Sequence, residues 1–316
     1  MENHKGHNVE KGTFHGIKTN AKILKITGWL TGVYFVIELF LGFYSGSVAV
    51  ISDAFHTFSA VGGILIAFIA NRISSIEANE NATYGFSRSE IIGALLNGVF
   101  LLFMAIYVIY MGFNRLGIEY ELPTGIMLIA AVGGLITEII SFKLVYNQQK
   151  TNINMKGAFW HILQTFIGSI LIIIAAVVIK FTGYTPIDPI LGMSFGVVLL
   201  WASYSIIKDT LNIFMQTVPK NIEIGKIKSD ILQIDGVIGV RHIHAWVLTS
   251  NKNIFTAHIQ IKNHKNSEII LKEVDKILKD KYKFYFSTVQ LEEKHIKSEA
   301  DDIDVKILRK HGKSHS

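Results

Sequence analysis

The 316-residue sequence contains no cysteine and only four prolines, and charged residues make up just 18% of it, whereas hydrophobic residues make up 50%. The absence of cysteine excludes disulfides, thiolate zinc sites, cysteine nucleophiles and Cys-ligated iron–sulfur clusters. Any transition-metal site must therefore use histidine, carboxylate or weaker oxygen ligands. The scarcity of charge, together with a positive mean hydropathy, argues against a purely soluble protein.

Long apolar runs predict six membrane-spanning helices, because a helix needs about 20 mainly apolar residues to cross a bilayer core. The predicted spans are Ile26–Val50, Val48–Asn71, Ile91–Phe113, Leu122–Phe142, Gly157–Ile179 and Pro189–Ile207. The first run passes through Gly46 and Ser47 into the second. All four prolines fall at proposed helix boundaries, so none of them interrupts a predicted span.

The distribution of positive charge predicts the orientation of these spans. An even number of spans places both termini on one side of the membrane, and the segments on that side carry 29 of the 31 lysines and arginines. The opposite loops carry only Arg115 and Lys180. Because cations accumulate on the cytoplasmic side, we expect cytoplasmic termini in an integral protein of the plasma membrane. The polar first 25 residues do not resemble a cleaved signal peptide.

After the last span, the pattern changes to short elements in the order α-β-β-α-β. The predicted elements are a helix at Ile222–Ile234, strands at Val237–Leu248 and Ile254–Ile261, a helix at Ser267–Lys281 and a strand at Phe284–Leu291. This order favours a small ferredoxin-like α+β domain. The expected division is a cytosolic N-terminal segment at 1–22, a transmembrane domain at 23–208, the ferredoxin-like domain at 209–292 and a disordered tail at 293–316.

Five ionisable side chains lie inside or at the ends of the predicted spans: Glu38, Asp53, His56, Glu138 and His161. Such groups are costly in a bilayer, so they usually face a partner or a transport pathway. The two histidines are either zinc ligands and proton carriers or are hydrogen-bonded between helices. The two glutamates are either part of a pathway or neutral acids bonded to a neighbouring helix.

Four segments carry a family resemblance: Ser52–His56, Tyr84–Glu90, Asp188–Leu191 and the hairpin from Val240 to His258. Together they resemble the cation diffusion facilitators over roughly residues 20–292. The resemblance implies six spans with a cytosolic ferredoxin-like domain. It also implies a homodimeric exporter of zinc or related divalent cations that works by alternating access and proton exchange.

The resemblance also implies a metal site in the membrane, formed in zinc-type members by one HxxxD pair on span two and another on span five. His56 and His161 match the two histidines, but Ala60 and Thr165 stand where the two aspartates would be. Alanine has no donor atom and a threonine hydroxyl is a poor zinc ligand. We therefore expect a weakened site of His56, His161 and Thr165, with Asp53 approaching from one helical turn away.

In the cytosolic domain the resemblance implies a second metal site, which this sequence matches only in part. His244 and His258 match, whereas Arg241 and His242 replace the first two positions of the family pattern. A period of two would place His242 and His244 on one strand face. We expect either a metal site of His242, His244 and His258 or a half-exposed polar strand.

These patterns predict a transporter that exports a divalent cation, most favourably zinc, in exchange for protons. The alternative is a non-transporting or regulatory subunit that pairs with a related family member, because both aspartates are missing. We expect no enzyme, since the sequence has neither a phosphate-binding glycine loop nor an HExxH pair. The expected partners are the metal, protons, the lipid bilayer and a second copy or a relative, with no nucleic acid and no organic cofactor.

Overall fold

The computed structural model describes the backbone of residues 8–118, 120–146, 153–249 and 252–294. Side chains are described over the same ranges except at 8–22, 24, 59–61, 63–65, 67–68, 71, 153–158 and 160. Within this part the chain forms two compact units. One runs up to Ile69 and from Gly93 to Ile207, and the other comprises Ala70–Ile92 and the chain from Lys208 onward.

Six long helices, counted in the described residues, account for the apolar two-thirds of the chain. They are α1 (Asn8–Ser45), α2 (Val48–Ser74), α3 (Ser89–Arg115), α4 (Thr124–Val145), α5 (Ile153–Thr182) and α6 (Ile187–Phe214). Apart from α2, each is long and apolar enough to cross a membrane, and in α2 the described apolar stretch is Val48–Phe58. Large apolar side chains such as Trp29, Phe103 and Trp201 point outward, as lipid-facing surfaces require. The protein is therefore an integral membrane protein.

The boundary between α1 and α2 differs from the sequence prediction. The first helix ends at Ser45 and not at Val50, because Gly46 has a positive φ of 69° that turns the chain. At its other end α1 already begins at Asn8, so the helix includes most of the segment that was predicted as a polar N-terminal stretch. Hydropathy locates the apolar part of a helix but does not detect a polar extension of it.

The start of α2 is stabilised by side chains from two elements. Ser47 accepts a hydrogen bond from the Val50 N–H at 3.1 Å, which is the usual role of a residue preceding a helix. The buried carboxylate of Asp188, in the first turn of α6, accepts the Val48 N–H at 2.8 Å and the Ala49 N–H at 3.3 Å. It also accepts the Ser47 hydroxyl. Three of the groups at this helix end therefore bond to one carboxylate, which also compensates the positive end of the helix dipole.

Helix α2 packs on two sides. Ala49 and Val50 join a buried cluster with residues of α4 and α5, including Met127 and Ile172. Its other side contributes Val48, Ile51 and Phe55 to a cluster with α3 and α6. Because α2 carries Asp53 and His56, these two clusters determine where both side chains lie.

The second unit contains the small α+β domain. Its elements are α7 (Ile224–Leu232), β1 (Val237–Thr249), β2 (Lys252–Ile261), α8 (Ser267–Lys276) and β3 (Phe286–Glu292). The sheet order is β1-β2-β3, with β1 antiparallel and β3 parallel to β2. Both helices cover one face, where Ile227, Phe255 and Val274 are buried. The predicted α-β-β-α-β order and fold class are confirmed.

Element ends in this domain differ slightly from the predictions. The helix predicted to reach Lys281 ends at Lys276 and continues as one π-helical turn, Ile277–Lys281. The last strand begins at Phe286 and not at Phe284, because Phe284 packs into the core before the strand pairs with β2. At the other end of the sheet, the Thr249 hydroxyl donates to Glu90 in the first turn of α3.

Close packing at the start of α2 leads to a stability prediction. A Cβ at Gly192 of α6 would lie 2.7 Å from the backbone carbonyl carbon of Val48 and 2.5 Å from its Cγ1. We expect Gly192→Ala to lower the melting temperature of the purified full-length protein, because backbone cannot move aside as a flexible side chain can; overpacking of this kind costs about 1–3 kcal/mol. Gly125→Ala is the matched control, since a Cβ there meets nothing within 4 Å. Equal melting temperatures for the two variants would contradict this account of the α2–α6 contact.

Candidate metal site in the membrane helices

The structure brings together the two histidines of the membrane domain. His56 lies on α2 and His161 on α5, and their ring centroids are 5.4 Å apart with an angle of 35° between the ring planes. Neutral imidazole is the commonest side-chain ligand of zinc. Two rings at this distance on neighbouring helices can approach one ion from two sides.

The other predicted ligands take different positions. The Thr165 hydroxyl donates to the Ile162 carbonyl at 3.0 Å, and Thr165 lines the same small cavity as His161. Asp53 is buried and shares a hydrogen bond with Glu38 of α1. Ala60 lies within α2, and its side chain is outside the described set.

Gly168 of α5 makes room for the Asp53 carboxyl group. A Cβ at Gly168 would lie 2.7 Å from Asp53 Oδ1 and 3.3 Å from its Cγ. The carboxyl group therefore packs directly on the backbone of α5. This glycine was not singled out in the sequence, because its role depends on a contact between distant segments.

A cavity of about 20 Å³ lies beside His161. Space of this size holds about one water molecule or one ion. All but one of its lining residues have a polar side chain, and they come from α1, α2, α4 and α5. The lining residues are Thr31, Tyr34, Thr57, Thr137, Glu138, Ser141, His161, Ile162 and Thr165.

Glu138 of α4 is part of this lining, although the sequence left open whether it was structural. Its Oε1 accepts a hydrogen bond from Ser169 of α5 at 3.2 Å. Ser141, one turn further along α4, was not identified from the sequence at all. The spacing of three residues between Glu138 and Ser141 was the available signal, since it places both on one helix face.

Within the described residues, no group of three or more histidine, aspartate and glutamate side chains is arranged to hold a metal ion. The protein groups that could bind one in the membrane domain are therefore a pair of imidazoles with nearby carboxyl and hydroxyl oxygens. A cation bound there would need these groups to move closer together or water to complete its coordination.

In the α+β domain the sheet is irregular where the second site was predicted. His242 has a positive φ of 47°, and the pairing of β1 with β2 shifts register between Arg241 and His244. This β-bulge interrupts the period of two on which the shared face of His242 and His244 was predicted. The His242 ring instead lies against His258, with 4.9 Å between ring centroids.

Glu292, the last residue of β3, connects side chains of β1 and β2 on the outer face of the sheet, which the two helices do not cover. It is buried, and its two oxygens contact Arg241 Nη2 at 2.5 Å and His258 Nδ1 at 2.6 Å. His258 therefore has one ring nitrogen oriented by a carboxylate, which is how metal-ligating histidines are commonly held. His244 lies further along the strand, paired with Thr256.

Comparisons with known proteins agree with this architecture. Residues 24–215 match the family model described as the cation efflux transmembrane domain, and residues 219–294 match the cation efflux protein cytoplasmic domain.

Curated relatives match over most of their length. The metal cation efflux system protein CzcD of Cupriavidus metallidurans is 31% identical over 274 residues, which cover 86% of this chain and 87% of that protein. The cadmium, cobalt and zinc/H(+)-K(+) antiporter of Bacillus subtilis is 30% identical over 281 residues, covering 87% and 88%. The zinc transporter ZitB of Escherichia coli is 29% identical over 275 residues, covering 86% and 88%.

The Gly168 contact yields a prediction for metal binding. We expect Gly168→Ala to weaken zinc binding to the purified protein, because the added methyl group would displace the Asp53 carboxyl group and with it the α2 face that carries His56. Isothermal titration calorimetry would measure the change, with Gly125→Ala as the control. Zinc affinity equal to that of the unmodified protein would show that the position of Asp53 does not influence the site.

Proposed function

This chain belongs to the cation efflux family, and on that premise we propose that it exports a divalent metal cation, most favourably zinc, from the cytoplasm in exchange for protons. The observation that carries the proposal is the proximity of His56 and His161 on two membrane helices. The names of the relatives, which include zinc, cadmium and cobalt, support the choice of substrate.

The proposed cycle uses the chemistry of imidazole. In the inward-facing state a metal ion displaces protons from His56 and His161, because only neutral imidazole binds a metal. In the outward-facing state, protons from outside compete for the same nitrogens and release the ion. The helices that line the site would alternate between these states, as in other exchangers with a site near the middle of the membrane.

We also propose an assembly and an orientation, which rest on the family and on the distribution of positive charge. The chain would work as a homodimer in the plasma membrane, with both termini in the cytoplasm. The match of residues 219–294 to a cation efflux cytoplasmic domain supports the proposed location of the α+β domain. His242 and His258 would form the metal-binding part of that domain, with His244 further along the strand, and Glu292 would orient His258.

A second function is favoured by two observations. The described residues hold no preformed group of three metal-binding side chains, and both family aspartates are replaced. A non-transporting subunit that pairs with an intact relative would need no such group. This alternative predicts no metal flux from the purified protein alone and restored flux only after assembly with the relative.

Replacement of either membrane histidine tests the site assignment. We expect His56→Ala and His161→Ala each to reduce zinc flux into proteoliposomes to the level of protein-free vesicles. Each variant would retain only one of the two imidazoles that bind the metal. His264→Ala is the control, since this exposed histidine lies in a turn of the cytosolic domain and contacts Ser267. Unchanged flux in both membrane variants would refute the assignment, and no flux from the folded unmodified dimer would favour the non-transporting subunit.

An imposed pH gradient tests the counter-ion. We expect an acidic vesicle lumen to accelerate zinc uptake, since outward proton movement would drive inward metal movement. A protonophore should abolish the acceleration. If the gradient does not change zinc uptake, but His161→Ala still abolishes it, the assignment of the metal site stands and protons are excluded as the driving ion.

A further inference from the structure

Three polar atoms around the cavity beside His161 lack a hydrogen-bond partner among the described residues. They are Glu138 Oε2, Ser141 Oγ and His161 Nε2, and all three are buried. Glu138 is 9% exposed and Ser141 1% exposed. A buried polar atom without a partner is costly, so three of them around one small space point to a ligand that satisfies all three.

The helices hold these atoms in a fixed arrangement. Glu138 and Ser141 lie on one face of α4, three residues apart, and α4 packs closely on α5, which carries His161. Ser169 of α5 donates to Glu138 Oε1 at 3.2 Å, which leaves Oε2 for the cavity. Metal-ligating carboxylates are commonly held by a hydrogen bond of this kind.

The chemistry of the three atoms suits a borderline divalent cation. An imidazole nitrogen and a carboxylate oxygen are both ordinary zinc ligands, and hydroxyl oxygen or water can complete the coordination. The carboxylate would also supply negative charge, which a site of two imidazoles and a threonine hydroxyl lacks. His56 lies close enough to His161 to add a second imidazole.

We propose that Glu138 is a direct ligand of the transported divalent cation, together with His161 and the Ser141 hydroxyl, and replaces the carboxylates that Ala60 and Thr165 do not provide. The metal site would then be formed by α2, α4 and α5. This inference rests on the proposed function, and it assigns to α4 a ligand that the family pattern on α2 and α5 does not contain.

Zinc titration of the purified full-length protein tests the role of the carboxylate. We expect Glu138→Gln to lower zinc affinity at least about tenfold, since even the loss of a group that only orients a ligand has effects of about 10–100-fold. Glu121→Gln removes an exposed carboxylate just before α4 and should leave the affinity unchanged. Zinc affinity of Glu138→Gln equal to that of the unmodified protein would overturn the proposal, and Glu138 would then bind a buried water.

Cobalt spectroscopy gives a second readout that does not depend on loss of binding. Because the chain contains no cysteine, thiolate-to-cobalt charge-transfer absorption can arise only from an introduced residue. We expect this band in Glu138→Cys and in the nearly isosteric Ser141→Cys, and we expect it to disappear when His161→Ala is added. Glu121→Cys is the control and should show no band.

The outcomes separate this inference from the proposed function. Folded Ser141→Cys and Glu138→Cys proteins that bind cobalt without the band would refute contact between the metal and α4, while His161-dependent zinc flux would still support transport. An unmodified protein that neither binds zinc or cobalt nor transports zinc would refute both proposals.

Discussion

The start of α2 is the constraint on which the membrane domain depends. Asp188 binds three groups at this helix end, and Gly192, one turn further along α6, lets the two helices approach until their backbones nearly touch. A buried carboxylate at the N-terminus of a helix is stabilised by the free N–H groups and the helix dipole. Asp53 and His56 follow within the next three turns of α2, so the contact between α2 and α6 determines where the candidate site lies.

Much of this architecture could be predicted from the sequence. Long uncharged runs identify membrane helices because the bilayer penalises charge over a fixed length, and the prolines mark the ends of those helices. The alternating strands of the α+β domain were equally clear. The same reasoning failed at Gly46, where hydropathy continues across a turn, and at Asn8, where a polar segment extends an apolar helix.

The candidate site was predictable only in part, because its remaining members come from contacts between distant segments. His56 and His161 were identified from the family pattern, but nothing in the local sequence places Ser141 or Gly168 beside them. The bulge at His242 could not be predicted either, since a positive φ at a residue other than glycine has no dependable sequence signal. Polar residues in a membrane helix indicate a function, but their partners are determined by helix packing.

The Glu292 contacts in the sheet of the α+β domain determine how that surface responds to dissolved salt. Dissolved ions screen exposed pairs such as Lys272 and Glu268 strongly, but they screen buried charges far less. Glu292 is only 5% exposed. The ion pair between Arg241 and Glu292 should therefore persist at ionic strengths that cancel the attraction between surface pairs, so this part of the outer face keeps one shape over a wide range of salt concentrations.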